Sequence, residues 1–182
     1  MNFDLPPLAL SVRQPWAWAI IHGGKTIENR TRGAIKAGGM DCRKICIYAD
    51  GGMKRDEYEW GHWRLLKHGV RCPRPDALVR SAIVGTVDVV DVITKSDSEW
   101  FGGQAGLVLE NPEAVEPIPA VGALGYFEWS RSGEIAAPAP WMNRWNTPNG
   151  DSATLDLFGA DATFQAPPPK PFGTKRQASS ED

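Results

Sequence analysis

The most regular pattern in the chain is SAIVGTVDVVDVIT at residues 81–94, where β-branched side chains alternate with small and polar ones. That period of two predicts a strand, with Gly85 as a bulge or bend. Lys44–Ala49 (KICIYA) has the length of a buried strand and is ended by Gly51-Gly52. Gly106–Leu109 predicts another strand, and Gly125–Trp129 one that closes the sheet. Thr26–Arg32 alternates enough for a strand or an extended loop, Gly33–Gly39 reads as a loop, and Pro112–Pro119 reads as turn-rich.

Two segments carry helical spacing. Pro15 suits a first helical turn, and a helix from there to His22 stops at Gly23-Gly24. Trp16 and Ile20, with Ala17 and Ile21, point inward at i, i+4. Lys54–His68 places Tyr58, His62, Leu65 and Leu66 on one face, with Gly69 as its cap. Strands outnumber helices and all segments are short. The pattern predicts an α+β fold, a small β-barrel with a few flanking helices rather than a doubly wound sheet. Residues 130–159 form a C-terminal extension, of which 131–150 show no clear periodicity. Residues 160–182, with a triple proline at 167–169, predict a disordered tail.

Composition narrows the class. No run of 18 apolar residues exists, so no membrane span is expected, and the first residues lack the pattern of a signal peptide. Three cysteines, Cys42, Cys46 and Cys72, are sparse and odd in number, which fits a reducing cytoplasm. Cys42 and Cys46, four apart, read as core thiols on one side of a strand. His22, His62 and His68 have no zinc spacing with them, so neither metal nor cofactor is expected. The net charge of −2 hides an asymmetry: Arg13–Arg80 holds 14 Lys/Arg and 7 Asp/Glu, a balance of +7 against −9 elsewhere. Eight tryptophans interleave with these charges. A basic half with aromatic rings can attract and stack a polyanion.

The candidate chemistry concentrates in LALSVRQPWAWAIIHGGKTIENRTR, residues 8–32. Arg13, Gln14, Trp16 and Trp18 precede Gly23-x-Lys25-x-x-Glu28-x-Arg30. This mixture suits a pocket that reads a polar ring or a phosphate, and is poor material for a core strand. The glycines let the backbone turn so that Lys25 projects as a point charge for phosphate. On extended backbone Thr26, Glu28 and Arg30 share a face, so Glu28 can pair with Arg30, or with Lys25 across the turn. Trp18 and Trp100, the latter in a polar loop before two glycines, are candidate walls for a stacked base.

Gly23-x-Lys25-x-x-Glu28-x-Arg30 resembles the GxKxxExR signature of the ASCH domain (activating signal cointegrator homology domain). The LSVRQPWAWAI lead-in, the GTVDVVDV strand and the GLVLENPEAVEPIPAVGALGYFEW segment extend the resemblance over residues 8–129. It implies a PUA-like β-barrel that binds RNA, another nucleic acid or a nucleobase in a cleft beside the motif. Arg13, Gln14, Trp18, Lys25, Glu28, Arg30 and Trp100 are then its ligand-binding residues. Some family members resemble N4-acylcytidine amidohydrolases and others metal-dependent ribonucleases, which leaves catalysis open. If the chain is an enzyme, Lys25 and Glu28 are its catalytic pair. The amidohydrolase pattern has threonine where Glu28 stands, and its distant acid corresponds to Glu99 or Asp97. Thr154–Phe158 (TLDLF) is similar to the QLxLF peptide that docks on bacterial sliding clamps, with threonine for glutamine, and implies a clamp as a possible partner.

Overall fold

A computed structural model describes residues 5–146. The expected strands are present as β2 (Ile27–Arg30), β3 (Lys44–Ala49), β4 (Ala82–Ile93), β5 (Ala105–Pro119) and β6 (Tyr126–Glu128), preceded by β1 (Leu8–Val12). The helices are α1 (Trp16–His22), α2 (Arg32–Ala37), α3 (Arg55–Lys67) and α4 (Pro140–Asn143). The fold is α+β. One sheet runs in the order β2-β5-β4-β3-β1-β6, antiparallel throughout except for the parallel β1–β3 pair.

The sheet is curled into a half-barrel. β2 is one edge strand, and β1 lies four strands away in the order. At the usual spacing of about 4.8 Å a flat sheet would separate them by roughly 19 Å. Yet the Arg30 guanidinium donates to the Ser11 carbonyl at 2.6 Å. The curl comes from the long β4–β5 pair, whose register shifts after Ile83, Thr86 and Val89. Each such irregularity bends and twists its strand.

α1 fills the curl. Ala17, Ile20 and Ile21 pack with Leu10, Val12, Ile45, Ile47, Val87, Val89, Leu107 and Leu109. Gly85 permits the approach, because a Cβ there would lie 2.5 Å from Ile21 Cδ1 and 2.6 Å from the Glu113 carbonyl. The opposite faces of β1, β3 and β4 bury Ala9, Cys46, Tyr48 and Ile83 against Phe127. A third cluster joins Ala19 to Tyr58, Leu65, Cys72, Leu78, Met142 and Trp145.

Several expectations are corrected. Leu8–Val12 is a core strand, with Ala9 and Leu10 fully buried, so the polar mixture of the motif region begins only at Arg13. Gly33–Gly39 is not a loop: α2 forms because the Thr31 side chain caps it, accepting from the Ala34 N–H at 3.0 Å. Pro112–Pro119 continues β5. It tolerates three prolines because β2 pairs with β5 only as far as Val108, leaving one flank of the later strand without that partner. Leu66 is exposed, because α3 turns Tyr58, Gly61 and Leu65 inward instead. Cys42 precedes β3 and is exposed, so only Cys46 is a core thiol of that pair. The aperiodic stretch after 130 contains α4, whose Met142, with Trp145 beyond it, is buried. Residues 154–158 and 160–182, with their expected clamp peptide and disorder, lie outside the described residues.

Candidate functional site

The motif bridges the end of α1 and the edge strand β2. Gly23 ends α1 through its N–H bond to the Ala19 carbonyl, and Gly24 takes φ +69°, a conformation costly for a side chain. The chain then turns so that the Lys25 N–H also reaches the Ala19 carbonyl, at 3.1 Å, and the side chain points inward. Lys25 Nζ donates to the Ile27 carbonyl at 2.5 Å and to Glu28 Oε2 at 2.6 Å. Glu28 Oε1 takes the Arg30 guanidinium at 3.1 Å. The side chains of Lys25 and Glu28 are 5% and 11% exposed, that of Arg30 22%. Arg30 is thus the outward end of a buried ionic chain, and its Nε is buried with no partner among the described residues.

Two cations share one carboxylate, so the cluster carries a net positive charge. Burial pushes the Lys25 pKa down, against the pull of Glu28. Burial pushes Glu28 up, but Lys25 and Arg30 outweigh it and hold the carboxyl below its ordinary value. Beside Lys25 lies a cavity of about 40 Å³, walled by Ile20, Thr26, Val87, Leu109 and Pro112. A water needs about 10–15 Å³ of such space, whereas small-molecule pockets run to about 300–1,000 Å³. The cavity is too small for a base, and the more exposed end of the cluster is Arg30.

The other sequence candidates are distributed around it. Gln14 is buried; its amide Nε2 donates to the Val79 carbonyl at 2.7 Å and its Oε1 accepts from the Trp18 N–H at 3.0 Å. Arg13 is exposed and pairs with Glu57 on α3. Trp18 is half-buried, with its ring 5.8 Å from that of His22. Trp100 stacks on His68 at 3.9 Å and 17°. Its carbonyl accepts from Asn29 Nδ2 at 2.7 Å, while Asn29 Oδ1 accepts from the Gly102 N–H at 2.9 Å.

Asn29 therefore clamps the Trp100 loop beside Glu28 and Arg30. No spacing in the sequence links positions 29 and 100; its place between two motif residues is the one available signal. Trp16, expected in the core, also faces the site, with Lys25 Nζ 5.9 Å from its ring centroid. Among the described residues no group of three His, Cys, Asp or Glu is placed to hold a metal ion. No helix there is long and apolar enough to cross a membrane.

The family model of the ASCH domain matches residues 10–138, most of the chain and the whole of the motif. The chain belongs to the ASCH domain family. This makes the curled sheet a PUA-like fold, and the family supports an RNA-binding or hydrolase-type module. Among solved structures, a mutant of the ZmASCH protein from Zymomonas mobilis is similar at 16% identity, covering 62% of this chain and 72% of that one, with a TM-score of 0.33. No curated protein matches the chain.

Proposed function

We propose that this ASCH domain binds single-stranded RNA at the Lys25–Glu28–Arg30 cluster, with Arg30 as the contact to phosphate or to a base edge. The observation that carries this is the charge excess of a buried cluster that opens outward at Arg30. A planar guanidinium with a fork of donors suits an anionic oxygen pair. Glu28 orients Arg30, and Lys25 neutralises and braces Glu28 from below. In this reading Arg13, Trp18 and Trp100 flank the ligand, and Asn29 holds the Trp100 loop beside β2.

The test is fluorescence anisotropy of a labelled single-stranded RNA at fixed salt. Arg30→Gln weakens binding and lowers the slope of log K against log salt by about 0.7, one phosphate contact fewer. An unchanged affinity and slope in a folded Arg30→Gln protein sinks the reading.

A hydrolase reading is favoured by a different observation, the depressed pKa of Lys25 at 2.6 Å from a carboxylate. Such a pair can serve as an acid/base couple. Incubation with N4-acylated cytidine and with RNA separates the readings. Turnover by the parent, lost in both Lys25→Arg and Glu28→Gln, supports the enzyme, and no turnover rejects it for those substrates.

A further inference from the structure

Six of the eight tryptophans belong to the hydrophobic clusters or pack against them: Trp16, Trp18, Trp100, Trp129, Trp141 and Trp145. Among the described residues, Trp60 and Trp63 join none of these clusters. They stack on each other instead, with centroids 5.2 Å apart and planes at 22°, and both are half-buried on α3. Lys67 Nζ sits 5.6 Å from the Trp63 ring.

Helical spacing places these side chains on one face. Trp60, Arg64 and Lys67 recur at i, i+4 and i+7, with Trp63 between them. Tyr58, Gly61 and Leu65 form the buried face. The charge is also segregated. The acids of α3 lie in its first five residues, where Glu57 pairs with Arg13 and Glu59 with Arg55. From Trp60 to Arg71 there are three cations, Arg64, Lys67 and Arg71, and no acid.

The buried face of the same helix abuts the motif region, and Arg64 reaches toward it from the outer face. Gly61 sits against Pro15 and the Trp16 ring, and that ring lies beside Lys25 Nζ. Arg64 donates to the carbonyl of Glu99, next to Trp100, and is close enough for its charge to act on Lys25. Two indoles outside the core, flanked by Arg64 and Lys67, have the chemistry of a platform on which bases stack while phosphates are held. An acid is placed near them, Glu99, whose carbonyl takes Arg64 and whose carboxylate lies 3.4 Å from His68.

We propose that the outer face of α3, formed by Trp60, Trp63, Arg64 and Lys67, is a second contact surface for single-stranded nucleic acid. It deepens the RNA-binding reading and rests on it for the identity of the ligand. An extended strand engaged at Arg30 continues over α3, its bases on the indoles and its backbone along Arg64 and Lys67.

The experiment titrates labelled single-stranded RNA, and DNA of the same sequence, into the full chain and into W60A/W63A, K67E and R30Q. Thermal melting of each variant is recorded alongside. W60A/W63A weakens binding roughly 10-fold, since a stacked base contributes about 1–3 kcal/mol and 1.4 kcal/mol is tenfold. K67E weakens binding as well and flattens its salt dependence; this surface charge reversal carries the test if the double alanine variant fails to fold. Parental affinity in folded W60A/W63A, or in K67E, alongside weakening in R30Q overturns this proposal and leaves the Arg30 site standing. Weakening in W60A/W63A with parental affinity in R30Q supports the α3 surface and overturns the Arg30 site. A parent that binds neither nucleic acid overturns both. A parent that sediments as a dimer dissolved by W60A/W63A makes the pair a self-association face and overturns the proposal.

Discussion

Lys25 Nζ and Glu28 Oε2 lie 2.6 Å apart with both side chains almost wholly buried, and Arg30 closes on the other oxygen of the same carboxylate. Exposed pairs contribute about 0–1 kcal/mol, but a buried pair behaves differently when one partner is removed. Glu28→Ala leaves two cations facing each other and lowers unfolding free energy by about 3–5 kcal/mol. Lys25→Met lowers it less, because Arg30 still balances the carboxylate. Urea denaturation of the two variants checks the order, and equal midpoints to the parent would falsify the buried pairing.

The same carboxylate gives the domain an acid limit. Its folded pKa lies below the ordinary 4.5, so the unfolded chain binds the proton more readily. The stabilisation from Glu28 is fully present above 4.5 and is lost as pH falls through the folded value. The stability gap between the parent and Glu28→Gln therefore narrows as pH falls below that ordinary value. Chemical denaturation over an acid pH series measures it.

Gly61 tests packing against propensity. Alanine in a helix interior is favoured over glycine by about 1 kcal/mol. A Cβ at Gly61, however, would stand 2.4 Å from Pro15 Cγ and 2.8 Å from its Cδ. Overpacking of this kind costs about 1–3 kcal/mol. Gly61→Ala is expected to destabilise the domain, and a higher melting temperature would show that α3 can move off α1.

Trp145 lies beyond the end of the family match at residue 138, yet its ring meets Tyr58 edge-on at 5.0 Å and is 2% exposed. Trp145→Ala costs about 3–5 kcal/mol, as for other buried aromatic truncations. Thermal unfolding of this variant determines whether that segment contributes to the stability of the domain.

The sequence by itself determined the α+β class and the places of α1, α3, β3 and β4, because those segments carry a repeating pattern set by local geometry. It also determined the motif, since Gly23, Lys25, Glu28 and Arg30 lie within one turn and one short strand. Between Glu28's two possible partners it could not choose; the curl of the sheet buries the carboxylate so that Lys25 and Arg30 both hold it. The extension of β5 through three prolines was hidden because a strand flank without a partner forgives a missing donor, and being such a flank is a property of the sheet. Asn29 and the Trp100 loop, and α3 and Lys25, meet only through tertiary contacts between segments distant in the chain. Which tryptophans the core absorbs, leaving Trp60 and Trp63 outside it, was likewise settled by how α3 turns Gly61 toward Pro15, a choice of helix face that periodicity alone had assigned differently at Leu66.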